Sequence, residues 1–494
     1  MSTTLGQRAA HGVLAVGTSQ AARILLQIAS VVVLARLISP RDYGLVAMVT
    51  AIVGVGEILR EMGLSSAAVQ SRSLSRAQRD NLFWISGAAG FVVAVVVALA
   101  APLLVVLYGQ PEVGWICLAL APTFLLSGLA AQYRAGLTRD LRFKALGVCD
   151  VACAAAALSI GVVAASFGLG YWSLVLQQLS SGIFAVVALA STSGWLPRAY
   201  DRSAPMRQLL RFGISVLGSQ VITYTSINVD SVLIGSTYGA RDLGFYNRGM
   251  QLVRTPLNQL RTPIGTVALP VLSRLQDDPR RFMEFVSSAQ LAVGYPVLAG
   301  IGWFIACGEH AVHLALGPAW LDATPVIQLI AAAEGISTLM FLAAWMYISL
   351  GLGAALVRLS GFTLLLRLCL LAVALPLGLV AVAAAGLVGT LVVLPISLWQ
   401  VGRSTGLPTR ILLWQAMGIL AVVTSVSAVT AAFVDAFDGL PDPMLLLTAA
   451  VVQLAGLALA GLLPPVRRQL AQVLTMVRLL RPSTTADQSE ESRA

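Results

Sequence analysis

The chain has 494 residues, 57% of them hydrophobic and only 11% charged, with a mean hydropathy of +0.84. A soluble domain is about half apolar and about a quarter charged, so this chain cannot hide its apolar surface in an aqueous core and the expected solvent is lipid. The net charge of +10 does not suggest nucleic acid, because 31 of the 32 basic residues are arginines scattered between apolar runs, with Lys144 the one lysine.

The stretch from Gly12 to Ala35 is too long for a signal-peptide core, has no small-residue cleavage pattern after it, and is expected to stay as the first span. A span needs about 20 mostly apolar residues. Such runs lie near 12–36, 43–63, 82–107, 113–133, 147–168, 171–191, 209–236, 243–270, 283–307, 325–350, 356–378, 380–401, 410–434 and 443–463, which makes fourteen. The apolar stretch of about 45 residues that includes Gly378 must turn round, and the break is expected between Gly378 and Ala383.

Loop charges test this count independently, since Lys and Arg collect on the cytoplasmic side. Alternate connections and the two termini hold 23 of the 32 basic residues, whereas the opposite connections hold only Arg41 and Arg241. Both termini are therefore expected inside. The tail from Pro464 begins basic and amphipathic, then turns polar, and is expected to be an interfacial helix with a disordered end.

A repeat runs through the chain at an offset of 200: Val16, Ser19, Gln20, Val32, Arg41, Asp42 and Gly44 recur as Val216, Ser219, Gln220, Val232, Arg241, Asp242 and Gly244. Six spans separate the repeat starts, so the halves share an orientation and the expected symmetry axis runs along the membrane normal. The expected fold class is an all-α integral membrane protein with two pseudo-symmetric lobes around a central cavity. Its expected divisions are an N-lobe at 1–207, a C-lobe at 208–402, two further helices at 403–463 and a cytoplasmic tail at 464–494.

Ionisable residues inside a span cost about 2.5–3.5 kcal/mol each and tend to face a cavity or a partner. In the span at 243–270, Asn247, Gln251, Arg254, Asn258 and Arg261 share one helical face, with Arg248 beside them. Arginines suit phosphate and amides suit sugar hydroxyls, so this stripe is a candidate substrate-binding wall. Arg23 and Gln27 in the first span and Asn228 near the end of the seventh are further candidates. For Arg23 two readings stand, a substrate phosphate or an internal pair with a carboxylate such as Glu57 or Asp230. Glu57, Arg60 and Glu61 are spaced to pair along their own helix. Glu334 and Arg367 are each read as either an ion-coupling residue or half of a structural pair.

No cofactor or metal is expected. There is no GxxxxGK phosphate loop. Cys149 and Cys153 have helical spacing but lack the ligands to complete a metal shell, and all five cysteines read as small apolar side chains. Glu309, His310 and His313 read as a wet surface segment, and Asp277 with Asp278 as loop charge balance.

The segment LARLISPRDYGLVAMVTAIVGVGEILREMGLSSAAVQ at 34–70 resembles the amino-terminal signature of bacterial polysaccharide flippases, the Wzx-type branch of the MOP exporter superfamily. LFW at 82–84, YRAGLTRDLRFKAL at 133–146, the run from Val229 to Leu260 and VALPVLSRLQDDPRRF at 267–282 carry the same resemblance over roughly residues 10 to 350. It implies two lobes of helices, alternating access and export of undecaprenyl-pyrophosphate-linked oligosaccharide units for O-antigen, capsule or exopolysaccharide at the bacterial inner membrane. Membrane lipid and a polysaccharide polymerase or export machinery are the implied partners, with no nucleic acid. Two alternatives remain, a cation-coupled multidrug or small-molecule antiporter of the same superfamily and a membrane-embedded glycan polymerase.

Overall fold

Long apolar runs ended by Pro and Gly fold into helices that satisfy their own backbone polar groups, as lipid demands. The computed structural model describes residues 2–61, 74–203, 206, 224, 228–469 and 472, with backbone alone at 2–19, 55–61, 262–263 and 266–267. In chain order the helices are α1 (Ser2–Leu37), α2 (Pro40–Glu61), α3 (Arg76–Tyr108), α4 (Pro111–Leu120), α5 (Pro122–Arg139), α6 (Phe143–Ser166) and α7 (Tyr171–Ser193). Residues 228–238 are helical, and α8 (Ala240–Leu275), α9 (Pro279–Ala306), α10 (Gly308–Leu316), α11 (Thr324–Ser349), α12 (Gly353–Ala374), α13 (Leu379–Thr405), α14 (Arg410–Ala436) and α15 (Asp442–Ala460) follow. Among the described residues there is no strand.

Eleven stretches of the described helices are long and apolar enough to cross a membrane, and they coincide with eleven of the expected spans. Of the other three, α2 has its side chains described only as far as Gly54, and most of 209–236 lies outside the described residues. The third, α8, is long enough at 36 residues but carries too much polar surface to qualify by apolarity. Large apolar side chains such as Leu99, Leu103 and Val106 on α3, or Leu447, Val451 and Leu454 on α15, point outward. In water such bands would drive aggregation, whereas in a bilayer they meet acyl chains.

Two breaks differ from the sequence expectation. The long apolar stretch turns at Leu375–Gly378 rather than at Gly378–Ala383, because Pro376 ends α12 through a short 3-10 turn and Gly378 takes φ 106°. The span expected at 113–133 is made of α4 and α5, divided at Ala121 where Pro122 has no N–H to continue the ladder.

The chain divides into two compact units, Met1–Leu252 and Val253–Ala494, with the boundary inside α8. In the first unit α3 packs on α5, α6 on α7 and α1, and α5 on α7. Phe83, Tyr133 and Trp195 meet edge to face, and the Trp195 indole donates to buried Asp80 at 3.0 Å. Asn81 accepts from the Asp201 N–H at 2.8 Å and donates to its carbonyl at 2.7 Å, tying the connection after α7 to the start of α3. In the second unit α9 packs on α14 and α11, α11 on α13, α12 on α13, and α14 on α15, around Phe282, Trp345, Tyr347 and Ile419.

The 200-residue repeat meets itself inside the first unit. A methyl group on Gly44 would lie 1.5 Å from the Ala240 carbonyl oxygen, and one on Gly244 would lie 1.9 Å from that of Pro40. The glycines of the two Arg-Asp-x-Gly motifs thus let α2 and α8 cross with their backbones in contact.

Candidate functional site

A cavity of about 760 Å³ opens within the first unit. Each of four helices lines it with a face of period i, i+3, i+4, i+7. These are Arg23, Leu26, Gln27 and Ser30 of α1, Tyr43, Val46, Ala47 and Thr50 of α2, Leu174, Gln177, Gln178 and Ser181 of α7, and Gly244, Asn247, Arg248 and Gln251 of α8. Ala154, Ala157 and Leu158 of α6 close another side. No acidic residue lines the cavity among the described residues.

Arg248 is the most constrained charge at this site, with 5% of its surface exposed. Its guanidinium donates to Gln251 Oε1 at 2.7 Å, to the Tyr43 hydroxyl at 3.0 Å, to the Ser30 carbonyl at 3.3 Å and to the Val31 carbonyl, and it lies 4.3 Å over the Tyr43 ring. Its Nε is buried without a hydrogen-bond partner. Among the described residues no carboxylate pairs with it, so its charge is held by dipoles and an aromatic face alone. A buried guanidinium without a counter-ion, at the wall of a polar cavity, is an attractor for an anion.

Arg23 meets a carboxylate that the sequence reading did not name as its partner. Asp150, on α6, lies 3.8 Å from Arg23 Nη1 and is gripped by Arg134 through two bonds of 2.5 and 3.1 Å. Asp150 thus faces two guanidiniums, and one positive charge remains at this edge of the cavity. Of the carboxylates expected opposite Arg23, Asp230 accepts from the Tyr246 hydroxyl at 2.8 Å, and the Glu57 side chain lies outside the described residues, as does that of Arg60. Which helix packs on α1 is a non-local fact that spacing along the chain cannot carry.

The α8 stripe divides between the two units. Asn247, Arg248 and Gln251 face the cavity, and Asn247 Oδ1 accepts from Ser231 at 3.1 Å. Arg254 and Arg261 instead serve Glu334 in the second unit. Arg254 Nε donates to Glu334 Oε1 at 2.6 Å and Arg261 Nη1 to Oε2 at 3.3 Å. Arg261 Nη2 also donates to the Glu334 carbonyl and the Thr338 hydroxyl, both at 2.7 Å. Asn258 is exposed on α8, Arg367 is half-buried on α12, and Asn228 donates to the carbonyl of Tyr224, four residues earlier.

The sequence reading missed the α7 contribution. Gln177, Gln178 and Ser181 are polar at helical spacing inside an otherwise apolar span, a signal passed over because none of them carries a charge. Gln177 Nε2 donates to Ser30 Oγ at 3.1 Å, joining α7 to α1 across the cavity.

No group of three metal-ligating side chains stands together among the described residues. His310 and His313 each contact Asp442, at 2.8 and 2.5 Å, so both rings are engaged by the start of α15. Cys149 and Cys153 are buried within helix packing.

The fold is shared with solved transporters. The structure superposes on a lipid II flippase, MurJ, in an inward closed conformation with a TM-score of 0.69, covering 90% of this chain and 98% of that one at 12% identity. It superposes on an inward-facing multidrug resistance transporter of the MATE family of the MOP superfamily with a TM-score of 0.59, covering 81% and 95% at 13% identity. In sequence the chain is 24% identical over 315 residues to the lipopolysaccharide biosynthesis protein WzxC of Escherichia coli (strain K12), covering 62% of each. It is 25% identical over 291 residues to the teichuronic acid biosynthesis protein TuaB of Bacillus subtilis (strain 168), covering 58% of this chain and 59% of that one. It is 26% identical over 318 residues to the succinoglycan biosynthesis transport protein ExoT of Rhizobium meliloti (strain 1021), covering 63% of each. The matched region spans about three-fifths of the length of these relatives. Residues 33–325, more than half of the chain, match a family described as "Polysaccharide biosynthesis protein", and with the membrane-transporter fold and the polar cavity in place, this is the family to which the chain belongs.

Proposed function

We propose that this protein flips undecaprenyl-pyrophosphate-linked oligosaccharide units across a bacterial inner membrane, for O-antigen, capsule or exopolysaccharide, by alternating access. Fourteen spans with both termini cytoplasmic, divided into lobes at 1–207 and 208–402 with two further helices, are the topology this reading carries. The observation that supports it most is Arg248, a buried guanidinium with no carboxylate partner among the described residues, set in a cavity walled by amides and hydroxyls. Such a wall suits a cargo with a phosphate end and a hydroxyl-rich end, while the prenyl chain stays in lipid.

Glu334, held between Arg254 and Arg261, fits a structural pair better than an ion-coupling carboxylate, because each of its carboxylate oxygens is already engaged by a guanidinium. The antiporter reading is weaker, since a cationic drug calls for an acidic cavity and no acidic residue lines this one among the described residues.

The test is complementation of a strain lacking the gene, scored by surface glycan and by the amount of protein in the membrane. Arg248→Met should abolish glycan display with the protein still inserted, and Arg248→Lys should restore part of it. Normal display from Arg248→Met would refute the cavity as the phosphate site.

A further inference from the structure

The cavity holds two kinds of polar group, and they do different chemistry. The guanidiniums of Arg23 and Arg248 carry charge and suit a phosphate. Gln27 on α1, with Gln178 and Ser181 on α7, is neutral. Among the described residues these three form no hydrogen bond with the protein, although all three line the cavity. Leaving an amide unbonded against hydrocarbon costs several kcal/mol, so these side chains belong to the wet side of their helices. Each glutamine offers two N–H donors and a carbonyl acceptor, and the serine both donates and accepts. That is the complement of a ring bearing hydroxyl or acetamido groups, which also donates and accepts.

Position strengthens the assignment. Arg248 bonds α1 at Ser30 and Val31, whereas Arg23 lies seven residues earlier on the same helix, about 10 Å along its axis. The bond from Gln177 to Ser30 joins α7 to α1 at one point, and Gln178 and Ser181 follow on the cavity-lining face of α7, facing the same cavity as the stretch of α1 between the two cations. A pyrophosphate drawn to Arg248 therefore presents its attached sugar to this stretch.

We infer that Gln178 and Ser181, with Gln27 opposite, form a sugar-reading wall that selects the ring bonded directly to the pyrophosphate. Gln177 acts by positioning, through its bond to Ser30. This rests on the flippase reading above and adds a specificity element to it. A wall built to hydrogen-bond a ring loses affinity for a carrier that lacks the ring, because its donors and acceptors are then left without partners.

The test uses the purified full-length protein in nanodiscs and measures binding of undecaprenyl pyrophosphate, bare or carrying N-acetylglucosamine or galactose. The wild-type protein should prefer at least one sugar-bearing lipid to the bare lipid by about tenfold or more. In the Gln178→Met/Ser181→Ala variant that ratio should fall toward one, while the bare lipid binds within about twofold of wild type. A ratio unchanged in the variant, or a wild-type ratio of one for both sugars, overturns the wall. Should the double variant not insert, the single variants Ser181→Ala and Gln178→Asn serve, and an unchanged ratio in both refutes the wall equally. Failure of the bare lipid to bind wild type overturns the flippase reading instead, so the two failures are distinguishable.

Discussion

Replacing Gly44 with alanine puts a methyl carbon 1.5 Å from the Ala240 carbonyl oxygen and 2.4 Å from its carbonyl carbon. Real contacts of this kind stay beyond 3.0 Å, so α2 and α8 must part by about 1.5 Å where they cross. The obstacle is backbone on both sides, and no side chain can rotate out of the way. Overpacking of a core costs about 1–3 kcal/mol, and this rigid crossing belongs at the upper end, about 3 kcal/mol. For a unit of roughly 250 residues that corresponds to a fall in Tm of about 6 °C or more. A methyl group on Gly386 of α13 would have nothing within 4 Å, so Gly386→Ala is the matched control and should be neutral. The assay is thermal unfolding of the full-length protein in detergent, followed by tryptophan fluorescence. Gly244→Ala should also destabilise, by less, since its nearest contact is 1.9 Å. A Gly44→Ala protein that melts with Gly386→Ala would refute the argument that the two repeat motifs cross at backbone contact.

Two further outcomes follow from charged groups. Glu334→Ala leaves Arg254 and Arg261 without their shared carboxylate in a site where Glu334 is 8% exposed, and should cost about 3 kcal/mol in the same melting assay. Adding Arg261→Met to that variant should recover part of the loss, and no recovery would mean that the pair is not the source. Outside the spans, the Ser203 hydroxyl and N–H hold the Asp201 carboxylate below the usual aspartate range. A depressed folded value stabilises above the ordinary range of the unfolded group, and that contribution is lost as pH falls through the folded value. Asp201→Asn should therefore flatten the acid side of the stability profile, and a profile unchanged from wild type would refute the assignment.

Much of this protein is legible without its tertiary structure. Apolar runs and the arginine-bearing loops between them identify a polytopic membrane protein because lipid imposes a local rule on every span: length, apolarity and internal hydrogen bonding. The turn in the long stretch after α12 was also written locally, in Pro376 and Gly378, and the expectation misplaced it by passing over the proline. The offset-200 repeat led to the expectation of two equivalent halves, and the stripe on α8 announced a polar face.

Tertiary structure alone decided what those faces touch. Helical spacing places Asn247, Gln251, Arg254, Asn258 and Arg261 along one side of α8 with Arg248 beside them, yet Asn247, Arg248 and Gln251 line the cavity, Arg254 and Arg261 clamp Glu334 and Asn258 is exposed, because α8 is long enough to serve both units. Arg23 meets Asp150, a carboxylate not foreseen as its partner, because α1 packs along α6. The α7 amides gained significance only when Gln177 was seen bonded to Ser30. The physical reason is the same in each case: periodicity along one helix tells which residues share a face, whereas the neighbour of that face is set by packing between segments more than seventy residues apart in sequence.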